Sequence, residues 1–273
     1  MAVILRAVHQ VRQAAEFPYF DNGGLPIAFA HRGGRISDDE HAFENTMLAF
    51  ERAVALGYRY LETDAHATRD GVLLAFHDTT LHRTTGSGGS LADLTYDDVR
   101  RLRIGGTEPI PLMHELLTAW PDVRVNIDAK STACVAPLSA VVGEHRAWDR
   151  VCVASFSPRR LHRLREVLGP RVATAYAAPG VAAMRFLPTD RLRRACLGAG
   201  GIVAQVPVRK NGIEIVTPAF VAHAHDLGKQ VHVWTIDTAP EIGRLLDLEV
   251  DAVMTDRLDV LRDVFRARGI WKG

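Results

Sequence analysis

Nine short runs of β-branched and other apolar residues recur along the chain, and the stretches between most of them carry the period of a helix. The runs are Ile27–Ala30, Tyr58–Asp64, Val72–Phe76, Val123–Ile127, Val151–Ala154, Val172–Ala175, Ile202–Val206, Val231–Thr235 and Ala252–Thr255. Met47, Phe50 and Val54 follow one another at spacings of three and four, behind a capping residue at Asn45 or Thr46, and Gly57 ends the stretch. Leu258, Leu261 and Phe265 repeat the pattern later in the chain. Strand–helix units repeated over roughly 250 residues predict a parallel sheet closed into an eight-stranded (β/α)8 cylinder, the TIM-barrel architecture of the α/β class. An open doubly wound sheet is the alternative, but no glycine-rich phosphate loop follows the first run.

Nine runs are one too many for eight barrel strands, and Thr68-Arg69-Asp70-Gly71 accounts for the extra one. Asp-Gly is a strong two-residue hairpin signal, and only a hairpin can join runs this close. With Asp70 and Gly71 as the loop, Arg69 pairs with Val72 and Asp64 falls opposite His77. Val72–Phe76 is then an antiparallel return strand, and residues 79–111 form an excursion between the second strand and its helix. That excursion holds Gly86, Gly88, Gly89, Gly105 and Gly106, as a small lobe inserted over the barrel mouth would. No linker or low-complexity tract divides residues 1–273, which read as a single domain. Within the leading segment, residues 1–25, Ile4, Val8, Val11 and Ala15 share a helical stripe.

Thirty-three Lys and Arg face 32 Asp and Glu, a net charge of +1. That balance excludes a nucleic-acid binder working by bulk charge, because phosphate-backbone affinity needs clustered cations in excess. Any anion must be held by a few placed side chains. No uncharged apolar run approaches the roughly 20 residues of a membrane span, and Arg6, His9 and Arg12 interrupt the place where a secretory apolar core would stand. Cys134, Cys152 and Cys196 are widely spaced and odd in number. They fit neither a disulfide framework nor a structural zinc site, and predict a reducing, cytoplasmic location.

The residues able to do chemistry gather at the ends of the first strands. In Leu61-Glu62-Thr63-Asp64-Ala65-His66, strand alternation throws Glu62, Asp64 and His66 to one face. Two carboxylates about 7 Å apart on one face are either a solvated edge or the oxygen ligands of a hard divalent metal such as Mg²⁺ or Ca²⁺. The predicted hairpin brings His77 beside Asp64. Asp128 ends the run Val123–Ile127, Lys130 follows two positions on, and His31 and Arg32 end the first run ahead of Gly33 and Gly34. Barrel active sites form at the carboxyl ends of strands, and this convergence is hard to explain as core packing. The set suits phosphodiester cleavage. A metal, Arg32 and Lys130 can neutralise phosphoryl charge, and two imidazoles can take and give a proton near neutral pH. A metallo-amidohydrolase would want His-x-His at the first strand end, where Arg32 and Gly33 stand instead.

Along almost the whole chain from residue 27 the same residues carry a resemblance. Ala30-His31-Arg32-Gly33, Glu44-Asn45-Thr46, Glu62-Thr63-Asp64, Thr68-Arg69-Asp70-Gly71, His77-Asp78 and Arg83-Thr84-Thr85-Gly86 come first, in order. Asn126-Ile127-Asp128-Ala129-Lys130, Ser155-Phe156, Val233-Trp234-Thr235 and Val250 to Asp256 follow. In these motifs the chain resembles the glycerophosphodiester phosphodiesterase family, a barrel of the phospholipase C-like type with a small inserted lobe. The resemblance implies hydrolysis of glycerophosphodiesters to sn-glycerol 3-phosphate and an alcohol. His31 and His77 would be general acid and base, and Glu62, Asp64 and Asp128 would hold one divalent cation, Mg²⁺ or Ca²⁺. Arg32 and Lys130 would contact phosphate, and Trp234 would form an aromatic wall for the glycerol. Glu44 would orient Arg32 or the metal shell, and His66 would line the rim or touch substrate.

The chain departs from the family pattern in two places. The third acid is usually Glu and here is Asp128, one methylene shorter, and the stretch Gly34–Phe43 is longer than a minimal loop. Sphingomyelinase D-type relatives carry Asp at that position, which keeps a lysophospholipid- or sphingolipid-directed enzyme as the alternative. That enzyme would want an exposed apolar surface near the barrel mouth, and the lobe, Ser87 to Gly106, is too polar to provide it. A non-catalytic binding barrel would most simply lack a histidine or carboxylate that this chain keeps.

Overall fold

The structure, a computed structural model, describes residues 12–37, 40, 43–198 and 200–273. Its main strands are β1 (Ile27–Arg35), β2 (Tyr60–Ala67), β3 (Leu73–Ala75), β4 (Arg124–Ala129), β5 (Val151–Ala154), β6 (Ala173–Thr174), β7 (Val203–Val206), β8 (Gln230–Val233) and β9 (Ala252–Arg257). Eight of them pair in parallel in the order β6-β5-β4-β2-β1-β9-β8-β7, and β3 pairs antiparallel with β2. The two ends of that row meet. Ala175 bridges Val203, the Tyr176 N–H donates to the Val203 carbonyl at 2.8 Å, and the Ile202 N–H donates to the Thr174 carbonyl at 2.8 Å. The result is the expected nearly closed TIM barrel with one return strand.

Strand alternation sorts each strand into two environments. All eight residues of β2 are buried. Leu61 and Ala65 face outward into the core beneath the helices, where Val125, Ile127, Val153, Val233 and Val253 join them. Tyr60 faces inward, edge-on to Phe29 and Tyr19 with ring centres 5.2 and 5.7 Å away. Higher on the same face, Glu62 and Asp64 line the barrel's mouth. The interior is therefore apolar below and charged above.

The floor is stoppered by two 3₁₀ turns, Ala14–Glu16 and Pro18–Phe20, which bury Phe17, Tyr19 and Phe20. The Tyr60 hydroxyl donates to the Tyr19 carbonyl at 2.9 Å. Ala15 lies in the first turn and is exposed, while Ile4, Val8 and Val11 of the expected stripe lie outside the described residues. The helix Met47–Ala55 starts where the sequence pattern places it, with the Ala49 N–H on the Thr46 hydroxyl at 3.1 Å.

The hairpin after β2 differs from the expected one. Its register sets Ala65 against Ala75 and Ala67 against Leu73, and the Phe76 N–H donates to the Asp64 carbonyl at 2.9 Å. Asp64 thus lies opposite Phe76, one residue short of His77. The loop has three residues rather than two. The Thr68 hydroxyl donates to Asp70 at 2.6 Å and accepts the Val72 N–H at 2.9 Å, and Gly71 takes the left-handed conformation at φ +85°. Leu74 of β3 packs with Phe76, Leu81, Leu91, Val99, Ile104 and Ile110 in a separate small core, and a two-residue ladder joins Arg103–Ile104 to Glu108–Pro109.

Candidate active site

Parallel pairing aligns the inward residues of neighbouring strands in layers. His31 of β1 stands beside Glu62 of β2, which stands beside Asn126 of β4, and one layer up Asp64 stands beside Asp128. After His31 the chain turns sharply, with Arg32, Gly33 and Gly34 all at positive φ. Arg32 thereby points its backbone N–H at Glu62 (3.2 Å), and its guanidinium reaches Asp64 at 3.2 Å and Glu44 at 3.2 Å. Lys130 completes the charged floor of the cleft, its Nζ 2.8 Å from Asp64 and 2.7 Å from Asp128.

Both histidines present the same device. His31 Nδ1 lies 2.7 Å from Asp256, and His77 Nδ1 lies 2.6 Å from Asp78. A carboxylate on Nδ1 fixes the ring and leaves Nε2 as the nitrogen free to exchange a proton. Nε2 of His31 is 3.7 Å from Glu62. Burial alone would pull the His31 imidazole down, but Glu62 and Asp256 outweigh it and hold the ring above its ordinary pKa.

The carboxylates divide by environment. Burial, then the neighbouring Asp64 charge, pushes Glu62 up to about 7. Burial also opposes ionisation of Asp64, yet Lys130 and Arg32 overcome it and keep that carboxyl below its usual range. Asn45, itself at φ +57°, donates to Asp64 at 3.0 Å and accepts the Thr63 hydroxyl at 2.8 Å. Asp128 has one buried oxygen, Oδ1, with no hydrogen-bond partner. Three buried carboxylates with an acceptor to spare form an all-oxygen donor set, which fits a hard divalent cation. A tighter donor group, His114, Glu144 and His145 with ligand atoms within 4.8 Å of one another, lies outside the cleft lining.

These side chains line one end of a cleft of about 410 Å³ that also takes in Trp234, whose ring meets Phe156 edge-on at 6.1 Å. Of the residues singled out from sequence, His31, Arg32, Glu62, Asp64, His77, Asp128, Lys130 and Trp234 all line it. The other two do not. His66 is buried with its Nε2 3.1 Å from the His77 carbonyl, so it braces the return segment. Glu44 lies beside an adjoining hollow, where it pairs with Arg32 and accepts from Arg83 at 2.9 Å. Arg83 also donates to Asp78 at 2.6 Å, so a chain of charges runs from Arg32 through Glu44, Arg83 and Asp78 to His77. Roles for Asp78, Arg83, Asn45 and Asp256 did not emerge from the sequence reading. A carboxylate next in sequence to a histidine was the available signal for Asp78. Asp256 continues the inward alternation of β9 two residues beyond Met254.

Among the described residues no helix is long and apolar enough to cross a membrane. The sequence profile of the glycerophosphoryl diester phosphodiesterase family matches residues 31–260. A Mycobacterium tuberculosis protein named probable glycerophosphodiester phosphodiesterase 2 is 39% identical, over 93% of this chain and 99% of its own. A lysophospholipase D of Rattus norvegicus is 25% identical, over 83% of this chain and 82% of its own. A crystal structure from Silicibacter pomeroyi, of a protein assigned to the glycerophosphoryl diester phosphodiesterases, superposes with a TM-score of 0.78 at 24% identity. It covers 93% of this chain and 99% of that one. With the profile and the Mycobacterium relative both spanning most of its length, the chain belongs to the glycerophosphoryl diester phosphodiesterase family.

Proposed function

We propose that the protein hydrolyses glycerophosphodiesters to sn-glycerol 3-phosphate and an alcohol, with His31 and His77 exchanging the protons. The observation that carries this reading is the pair of imidazoles, each tied to a carboxylate through Nδ1, at the mouth of one cleft that also holds Arg32 and Lys130. Glu62, Asp64 and Asp128 would hold one divalent cation, Mg²⁺ or Ca²⁺. Bound there, it would withdraw charge from the phosphoryl oxygens. Arg32 and Lys130 share that work and orient the diester. His77 takes a proton from water as its oxygen bonds to phosphorus. His31, whose pKa Glu62 and Asp256 hold above the ordinary value, gives its proton to the alcohol oxygen as the P–O bond breaks. Trp234 offers its face to the glycerol. Cys134, Cys152 and Cys196 are unpaired thiols, which supports a reducing, cytoplasmic setting.

The test is choline release from glycerophosphocholine. His31→Ala and His77→Ala should each lower kcat by roughly 10²- to 10⁴-fold while the far-UV spectrum and melting temperature hold. Chelation should abolish turnover, and Mg²⁺ or Ca²⁺ should restore it. Near-normal turnover in either variant would remove that ring from proton transfer, and full activity after exhaustive chelation would remove the cation.

A further inference from the structure

Two histidines outside the cleft face each other across two helices. His114 sits in the first turn of the helix Met113–Ala119, which is anchored by the buried Met113, Leu116 and Leu117. Glu144 ends the helix Val135–Glu144, and His145 follows it with its backbone N–H on the Val141 carbonyl at 3.1 Å. In the chain these helices stand on either side of β4. His145 Nε2 lies 2.9 Å from His114 Nδ1, and that His114 nitrogen lies 3.7 Å from Glu144 Oε1. The ring planes cross at 62°, so the two imidazoles meet nitrogen to nitrogen rather than face to face. The proposed hydrolysis uses none of the three side chains.

Two imidazole nitrogens this close can share one proton but cannot each carry one. A divalent cation can replace that shared proton and take both lone pairs. With metal–nitrogen bonds of about 2.0–2.1 Å, the observed separation subtends roughly 90° at an ion. That is the angle between adjacent ligands of a square-planar or octahedral site. A tetrahedral ion would need the rings to part by only about 0.4 Å. The Glu144 side chain is 63% exposed, which leaves it room to turn in as a third, anionic ligand. The last-turn carbonyls of its helix add partial negative charge beside the group. Two imidazoles and a carboxylate suit Zn²⁺, Ni²⁺ or Cu²⁺, whereas the all-oxygen set of the cleft suits Mg²⁺ or Ca²⁺. We infer that His114, Glu144 and His145 form a metal site of their own, separate from the cleft, which takes a first-row transition cation and clips together the helices on either side of β4.

Zinc is the probe, titrated into the protein by calorimetry near neutral pH. A large excess of Mg²⁺ is present to compete for the cleft carboxylates. One equivalent of Zn²⁺ should bind in the micromolar range. His114→Ala and His145→Ala should each weaken that equivalent by roughly tenfold or more, and Glu144→Gln by several-fold. His162→Ala is the control. It removes an exposed imidazole that stands 3.3 Å from Glu166 but has no second ring beside it, and it should bind Zn²⁺ as the parent does. Far-UV spectra of all four variants should match the parent, so that a lost equivalent reports the ligands and not the fold. Absence of a Zn²⁺ equivalent that depends on both His114 and His145 would overturn the inference. An equal loss in His162→Ala would overturn it as well, by showing that any surface histidine suffices.

Discussion

Asp256 stands two residues beyond Met254 on β9, where its carboxylate can hold His31 for the proposed proton transfer. Its carboxylate meets His31 Nδ1 at 2.7 Å, and its own backbone N–H donates to Asp237 at 2.8 Å, which fixes where it points. In the proposed mechanism it is a positioning residue, acting through the ring it holds. A general acid must be protonated to work, so activity falls as pH rises through its pKa, and a raised pKa moves that alkaline limb upward. Asp256→Asn removes the charge and keeps the shape. It should lower kcat by roughly 10- to 100-fold and shift the alkaline limb of the kcat profile to lower pH. A reduced kcat with an unshifted limb would mean that Asp256 serves only the fold. His77 and Asp78 are neighbours in sequence, so that pairing could be anticipated. The partners of His31 lie 31 and 225 positions away, in Glu62 and Asp256, and only the sheet brings them together.

Two glycines show how differently an element can depend on a left-handed residue. Gly33 and Gly71 share φ +85°. A Cβ on Gly71 would meet nothing within 4 Å, whereas one on Gly33 would stand 2.7 Å from the Ala49 Cβ and 2.9 Å from the Ala49 backbone. Gly71→Ala should therefore cost only the backbone strain, about 1 kcal/mol in a urea unfolding curve. Gly33→Ala adds overpacking against the first barrel helix and should cost about 3 kcal/mol. It should also lower turnover, because His31 and Arg32 precede the displaced residue. Equal losses at the two positions would show that close packing on Ala49 is not the constraint. The Asp-Gly signal located this hairpin correctly and missed its register by one. Loop length was decided by the Thr68 hydroxyl, which satisfies Asp70 and Val72 together, a competition that turn composition alone does not reveal.

At the scale of the whole barrel, His232 is fully buried and lies outside the cleft lining. His232 points into the apolar interior between Phe20 and Phe29, with ring centres 5.8 and 5.3 Å away, and burial depresses its pKa from 6.5 to about 4. Between those values the unfolded chain binds more protons than the folded one. This contribution to stability is fully present above about pH 6.5 and is lost as pH falls towards 4, to a total of roughly 3 kcal/mol. His232→Leu should remove it, so unfolding free energies measured near pH 7 and near pH 4.5 should differ less in the variant than in the parent. An identical pH difference in both would mean that the ring is not held neutral. The strand and helix pattern, the return strand, the inward face of β2 and most of the cleft's charged residues could be read from the sequence by itself, because periods of 2 and 3.6 and turn chemistry act over a few neighbours. Only the tertiary structure decided that β9 closes beside β1 to give His31 its carboxylate, that His66 turns to the backbone, and that His114 meets His145. Those outcomes depend on contacts between residues far apart in the chain, and no local rule contains the distance between them.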